Sequence, residues 1–224
     1  MIADAKTELL RDLRERTQRI AESQRRPHRI QAISTGWKDL DEALPAGGFE
    51  GGTLVEWLAE GAGCGAMTLA LGVAARALEA GGACVVVDPR QEFYPPAAAE
   101  LGVPPERMIL IRPPSPRLAL WAWEQALRFR GVAVTLGELG ALGDQPFRRF
   151  QLAAEAGGGL GFLVRPMACR TAPSWAAVRL GVTALASGEL ARRWRVELVH
   201  NGRVIELITE PRTQRVFERS KQTA

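Results

Sequence analysis

The run Glu60-Gly61-Ala62-Gly63-Cys64-Gly65-Ala66-Met67-Thr68 follows a strand-like segment and opens a helix-like one, the setting of a phosphate loop. A working loop of the form G-x-x-x-x-G-K-[ST] cradles phosphates with backbone N–H groups. It adds a lysine for the β/γ charges and a hydroxyl for Mg²⁺. Here Gly65 keeps the glycine before the helix, but Ala66 stands at the lysine position, Met67 at the hydroxyl position and Glu60 at the first glycine. Gly61, Gly63 and Gly65 then have two readings. They preserve a tight strand-to-helix turn, or they still hold an anion with backbone donors at the helix N-terminus, against the repulsion of Glu60.

Other chemistry-bearing residues are sparse. His28 and His200 lack the Ser and Asp spacing of a catalytic triad. Cys64, Cys84 and Cys169 are widely spaced without a CxxC pair, so the sequence points to neither a disulfide framework nor a zinc site. Asp88 closes a buried strand, where α/β proteins often place functional carboxylates, but it has no partners in sequence. No metal and no cofactor is expected.

These residues need elements to hold them. Thr53 to Leu58 reads as a strand, Thr68 to Glu79 as a helix, and Ala83 to Asp88 as a buried strand behind Gly81-Gly82. A short helical segment lies in a Pro-rich stretch. It is followed by a strand at Met108 to Arg112, a helix at Leu118 to Arg130, a strand at Gly131 to Leu136, a helix at Phe147 to Ala156 and a strand at Leu160 to Val164. This alternation predicts an α/β fold with a mainly parallel central sheet flanked by helices. Ala176 to Thr183, Trp194 to His200 and Val204 to Thr209 alternate as antiparallel strands, with Asn201-Gly202 as a hairpin signal. Trp121 and Trp123, two apart on a helix, cannot share a face, so one of them is expected to be exposed. Trp37, Trp57, Trp175 and Trp194 sit in segments that read as core or strand.

Residues 4 to 26 form an N-terminal amphipathic helix closed by Pro27, with Leu9, Leu13 and Ile20 near one face. That face docks on its own domain, on a partner, or on a membrane surface; the interleaved Glu and Asp argue against the membrane. Three regions follow: helix and linker over 1–29, a core over 30–210 and a basic tail over 211–224. With 224 residues, 46% of them hydrophobic and 24% charged, the chain suits one folded α/β domain plus an appendage, which excludes disorder throughout. The net charge of +4 is compatible with an anionic partner and equally with a solvated arginine-rich surface. No apolar run approaches the ~20 residues of a membrane span, and a reducing cytoplasm is the expected setting.

The order of elements resembles the RecA recombinase core, a P-loop NTPase fold. The resemblance is carried by Ile33-Ser34-Thr35-Gly36, Leu40-Asp41-Glu42-Ala43-Leu44, Gly47-Gly48-Phe49 and Gly52-Thr53-Leu54-Val55-Glu56, then Val85-Val86-Val87-Asp88 and, near the end, Ala177-Val178-Arg179-Leu180. The chain is more similar still to the ImuA family of RecA-like accessory proteins, through Arg148-Arg149-Phe150-Gln151-Leu152, Pro173-Ser174-Trp175 and Arg192-Arg193-Trp194-Arg195-Val196-Glu197-Leu198.

The resemblance implies where the remaining catalytic groups should fall. The water-orienting acid falls near Arg90, with Glu92 as the substitute across a short gap. The metal-supporting Asp falls at Gly137, with Glu138 nearest, and two nucleotide-reaching lysines fall near His200 and Gly202. Losing two or three charge-assisted phosphate contacts of about 1.5–3 kcal/mol each weakens nucleotide binding by about 4–8 kcal/mol, roughly 10³- to 10⁶-fold. The resemblance therefore implies a degenerate ATPase site and a non-catalytic scaffold in DNA-damage-induced translesion synthesis within the SOS response. The implied partners are a polymerase-like ImuB protein, an error-prone polymerase and RecA, with Leu9, Leu13 and Ile20 as the partner-binding face and homo-oligomerisation open. DNA contact is expected to be weak, because the connections at Gly140 to Pro146 and Arg165 to Pro173 are short; Arg165 and Arg170 there either touch phosphate or are simply solvated. Two other classes stay open: a nucleotide-dependent recombinase or ATPase, and a SulA-like cell-division inhibitor.

Overall fold

A computed structural model of the chain describes residues 2–22, 32–140, 142–186 and 192–209. The linker with Pro27 and the tail over 211–224 lie outside the described residues, as do the side chains of Leu9 and Ile20. In chain order the elements are α1 (Ile2–Glu22), α2 (Lys38–Ala43), β1 (Leu54–Ala59), α3 (Ala66–Ala77), β2 (Ala83–Val87), α4 (Pro95–Glu100) and β3 (Met108–Ile111). They continue with α5 (Pro116–Arg128), β4 (Val132–Glu138), α6 (Asp144–Gly157), β5 (Leu160–Pro166), β6 (Val178–Leu185), β7 (Arg192–Leu198) and β8 (Arg203–Thr209).

The strands form one sheet in the order β3-β2-β4-β5-β1-β6-β7-β8. The apolar runs of β1, β2, β4 and β5 are buried on both faces, as parallel strands covered by crossover helices must be. One face packs on α2 and α3, where Phe49, Trp57 and Phe162 meet edge to face with ring centroids 5.8–6.0 Å apart. The other face packs on α5 and α6 around Trp123, Phe147 and Phe150.

The alternation of strands and helices is as expected, and one strand differs. β6, expected to be antiparallel, pairs parallel to β1 on one side and antiparallel to β7 on the other. The connection from Met167 to Ala177 is long enough to carry the chain back to the starting edge of the sheet, which a parallel neighbour requires. β7 and β8 then form the hairpin that Asn201-Gly202 announces, with Gly202 at φ +69° and Leu198 paired with Arg203.

The tryptophans divide as helix geometry demands. Trp123 is fully buried, while Trp121 is half-buried with the Lys6 ammonium 5.5 Å from its ring centre. Trp175 is a correction: it lies in the connection before β6 and is 37% exposed, with the Arg148 guanidinium 4.3 Å from its ring centre.

The N-terminal helix brings a second correction. Leu13 is 2% exposed and belongs to the core cluster of α5 and α6, so α1 docks on its own domain at this residue instead of presenting it to a partner. Burial of a leucine side chain is worth about 1.5–3 kcal/mol. Lys6 of α1 also meets α5, over the ring of Trp121.

Candidate functional site

β1 ends at Ala59, the loop Glu60 to Gly65 turns, and α3 begins at Ala66, two residues earlier than the sequence pattern suggests. Gly65 holds φ +93°, and a Cβ added there would collide with the indole of Trp194 from β7. Gly63 is also left-handed, at φ +74°, but faces open space. The loop is closed by its own bonds: Cys64 N–H donates to the Gly61 carbonyl at 3.3 Å, and Leu69 N–H to the Gly65 carbonyl at 2.9 Å. Ala66 is buried, Met67 and Thr68 half-buried, and Glu60, Gly61 and Gly63 exposed. The loop keeps a left-handed glycine turn at the head of α3, and no lysine or arginine lies between Glu60 and Thr68.

Beside it, beyond the C-terminal ends of β2 and β4, lies a cavity of about 280 Å³. Its walls include Met67, Leu71, Phe93 and Tyr94, with Asp88, Arg90 and Glu138 at the polar end. Asp88 is buried and already satisfied. It accepts from the backbone N–H of Glu92 at 3.0 Å and of Phe93 at 3.1 Å, and from Arg112 Nε at 3.3 Å. Its role is to hold the turn after β2, in which Gln91 adopts φ 60°.

Arg90 Nη1 lies 2.8 Å from Glu138 Oε1 and 3.7 Å from Glu92 Oε2. A guanidinium cannot accept a proton from water, and here it neutralises the two carboxylates nearest the positions where the resemblance puts a base and a metal-supporting acid. Among the described residues no group of three His, Cys, Asp or Glu side chains is placed to hold a metal. The residues at the positions the resemblance assigns therefore do not fit Mg²⁺ and a nucleoside triphosphate: Ala66 and Met67 replace the lysine and the hydroxyl, and Arg90 occupies the nearest carboxylates. His200 and Gly202 lie in the turn between β7 and β8.

Two arginines expected near DNA are otherwise engaged. Arg165, at the end of β5, is 1% exposed and ion-paired with Glu56 of β1, which is 0% exposed. Glu56 also pairs with Arg179 of β6 and accepts from Ser174 Oγ at 2.9 Å. Arg179 in turn donates to the carbonyls of Cys169 at 2.8 Å and Arg170 at 2.9 Å. Arg170 makes two 2.6 Å hydrogen bonds to Glu197 of β7, which hold the Glu197 carboxyl below its ordinary range and the Arg170 guanidinium above its own. Trp175 Nε1 donates to Asp144 Oδ1 at 2.8 Å.

These bonds pin the connection between β5 and β6 to the sheet and to the start of α6. The segment is held at four points: by Arg179 at its Cys169 and Arg170 carbonyls, by Glu197 at Arg170, by Glu56 at Ser174 and by Asp144 at Trp175. Sequence reasoning missed this network, whose signal was available: single charges at Glu56, Arg165 and Arg179 inside otherwise apolar strands. Burial pushes the Cys84 thiol up to about 12, which leaves it protonated and inert.

The family described as the RecA N-terminal domain matches residues 15–139, more than half of the chain, from within α1 through β4 and the loop and cavity just described. The chain is 34% identical over 107 residues to Protein RecA of Deinococcus radiodurans, covering 48% of this chain and 29% of that protein. It is 37% identical over 107 residues to Protein RecA of Chlorobium chlorochromatii, covering 48% and 30%, and 37% identical over 112 residues to Protein RecA of Rhodospirillum centenum, covering 50% and 29%. The match spans about three-tenths of the length of these relatives. A parallel sheet entered through a glycine turn at the head of α3, with that domain matched across it, places the chain in the RecA family.

Proposed function

We propose that this RecA-family chain has lost ATP chemistry and serves as a protein-binding accessory factor in DNA-damage-induced translesion synthesis, in the manner of ImuA proteins. Its proposed partners are a polymerase-like ImuB protein, an error-prone polymerase and RecA. The observation that carries this reading is the Arg90–Glu138 ion pair beside a phosphate loop whose lysine and hydroxyl positions are Ala66 and Met67. Phosphoryl transfer depends on positioning and on electrostatic stabilisation of the transferred group, and these residues supply neither. What survives is a rigid surface, and rigid surfaces bind partners with little ordering cost.

The test pairs isothermal titration with turnover. With MgATP and single-stranded DNA present, binding at micromolar concentration and hydrolysis above the uncatalysed rate are both expected to be absent. Co-purification from DNA-damaged cells is expected to recover polymerase components. The second reading, a nucleotide-dependent recombinase, draws on the RecA relatives and on the loop's retained shape. Appreciable turnover that disappears in Glu138→Ala establishes that reading and removes the first.

A further inference from the structure

β8 closes the sheet at the edge opposite β3, and among the described residues no strand pairs with its outer side. Burial alternates along the last hairpin. Trp194, Val196, Leu198, Ile205 and Leu207 face the core, so Arg193, Arg195, Val204, Glu206 and Ile208 lie on the open face. Val204 and Ile208 are 52% and 57% exposed, two β-branched side chains on an edge that natural proteins usually blunt. An unpaired backbone edge with regularly spaced apolar side chains is the template for strand addition.

The charges around this edge select what is added. Glu206 is paired with Arg193 at 3.0 Å and Glu197 with Arg170, but Arg192, Arg195 and Arg203 have no ion pair among the described residues. Arg203 stands at one end of β8, and Arg192 lies opposite Thr209 at the other. We infer that β8 is a docking edge for an extended, acidic segment of a partner protein. That segment pairs with the strand's free backbone, sets apolar side chains beside Val204 and Ile208, and places carboxylates at its ends, one beside Arg203 and one facing Arg192 across the end of β8.

Two other occupants fit less well. A second copy paired antiparallel about Glu206 opposes that carboxylate to itself and brings a second set of unpaired arginines, and like charges directly opposed are destabilising. Nucleic acid finds no aromatic ring on the open face to stack on, and meets two carboxylates. This inference is independent of the translesion reading, because the edge is separate from the phosphate loop and its test contains no nucleotide.

The probe is a fluorescein-labelled peptide, Asp-Glu-Val-Thr-Thr-Thr-Val-Glu-Asp, whose two valines match the spacing of Val204 and Ile208 and whose central threonine meets Glu206. Anisotropy with the full chain is expected to show saturable binding that weakens as salt rises, and at least about tenfold weaker binding when lysines replace the four acids. Val204→Lys with Ile208→Lys is expected to abolish binding, and Arg192→Glu with Arg203→Glu to reverse the preference toward the lysine peptide; circular dichroism verifies that each variant is folded. Equal binding of both peptides, or none, overturns the inference. So does binding that survives both double substitutions, displacement of the peptide by oligothymidine, or a dimer in sedimentation that dissociates in Ile208→Lys.

Discussion

Glu56 has no exposed surface and answers two arginines and a serine from three different segments, so its removal is costly in a specific way. Truncating one member of a buried ion pair leaves uncompensated charge in a region of low dielectric, which typically costs about 3–5 kcal/mol. Glu56→Ala is therefore expected to lower unfolding free energy by that amount in denaturant titration. Glu56→Gln, which keeps an acceptor for Ser174, is expected to lose less; equal losses would show that charge is not what matters there. Gly65 offers a second residue-scale comparison. Gly65→Ala meets both a left-handed backbone and the indole of Trp194, whereas Gly63→Ala meets a left-handed backbone with open space around it. The expected costs are about 1 kcal/mol at Gly63, the strain of a non-glycine residue at positive φ, and clearly more at Gly65 because the indole has to move. Thermal unfolding of the pair distinguishes turn geometry from packing as the reason for the glycine.

At the scale of elements, α1 and the connection after β5 are both held by their own chain. α1 rests on α5 through Leu13 and through Lys6 over Trp121, while its outer side carries the exposed residues Arg11, Arg14, Glu15 and Arg16. Leu13→Ala leaves a cavity at that seam, and such truncations cost about 2–5 kcal/mol. Among the described residues α1 packs chiefly on α5, so the loss is expected to appear as local release. Trypsin should cut at Arg11, Arg14 and Arg16 faster in the variant while the sheet stays resistant. Unchanged cleavage would mean that other contacts hold the helix. The connection after β5 is flanked by Arg165 and Arg179, both of which pair with Glu56 instead of facing solvent.

At the scale of the molecule, one sheet separates two apolar layers that share every central strand, with Trp57 in one layer and Trp123 in the other. Neither layer can be exposed without opening the strands that support the other, so unfolding is expected to be a single cooperative transition. Tryptophan fluorescence and far-ultraviolet circular dichroism should give coincident midpoints in urea. Separated midpoints would divide the β6–β8 end of the sheet from the rest. The loop at the head of α3 and its cavity lie beyond the strand ends, and among the described residues the outer edge of β8 is unpaired.

Local pattern sufficed for the strand-helix alternation, the Asn201-Gly202 hairpin, the glycine turn at Gly65 and the absence of lysine and hydroxyl at Ala66 and Met67. Each depends on residues within a few positions of one another. Other features waited for the tertiary structure: the inward turn of Arg165, the intramolecular seat of Leu13, the exposure of Trp175 and the parallel side of β6. Their causes are contacts across long stretches of chain, with Glu56 and Arg165 separated by 109 positions and Arg90 and Glu138 by 48. A charge in an apolar strand announces that it needs a partner, but only the packing of the sheet decides which one, and with it which arginines remain to meet anything outside the chain.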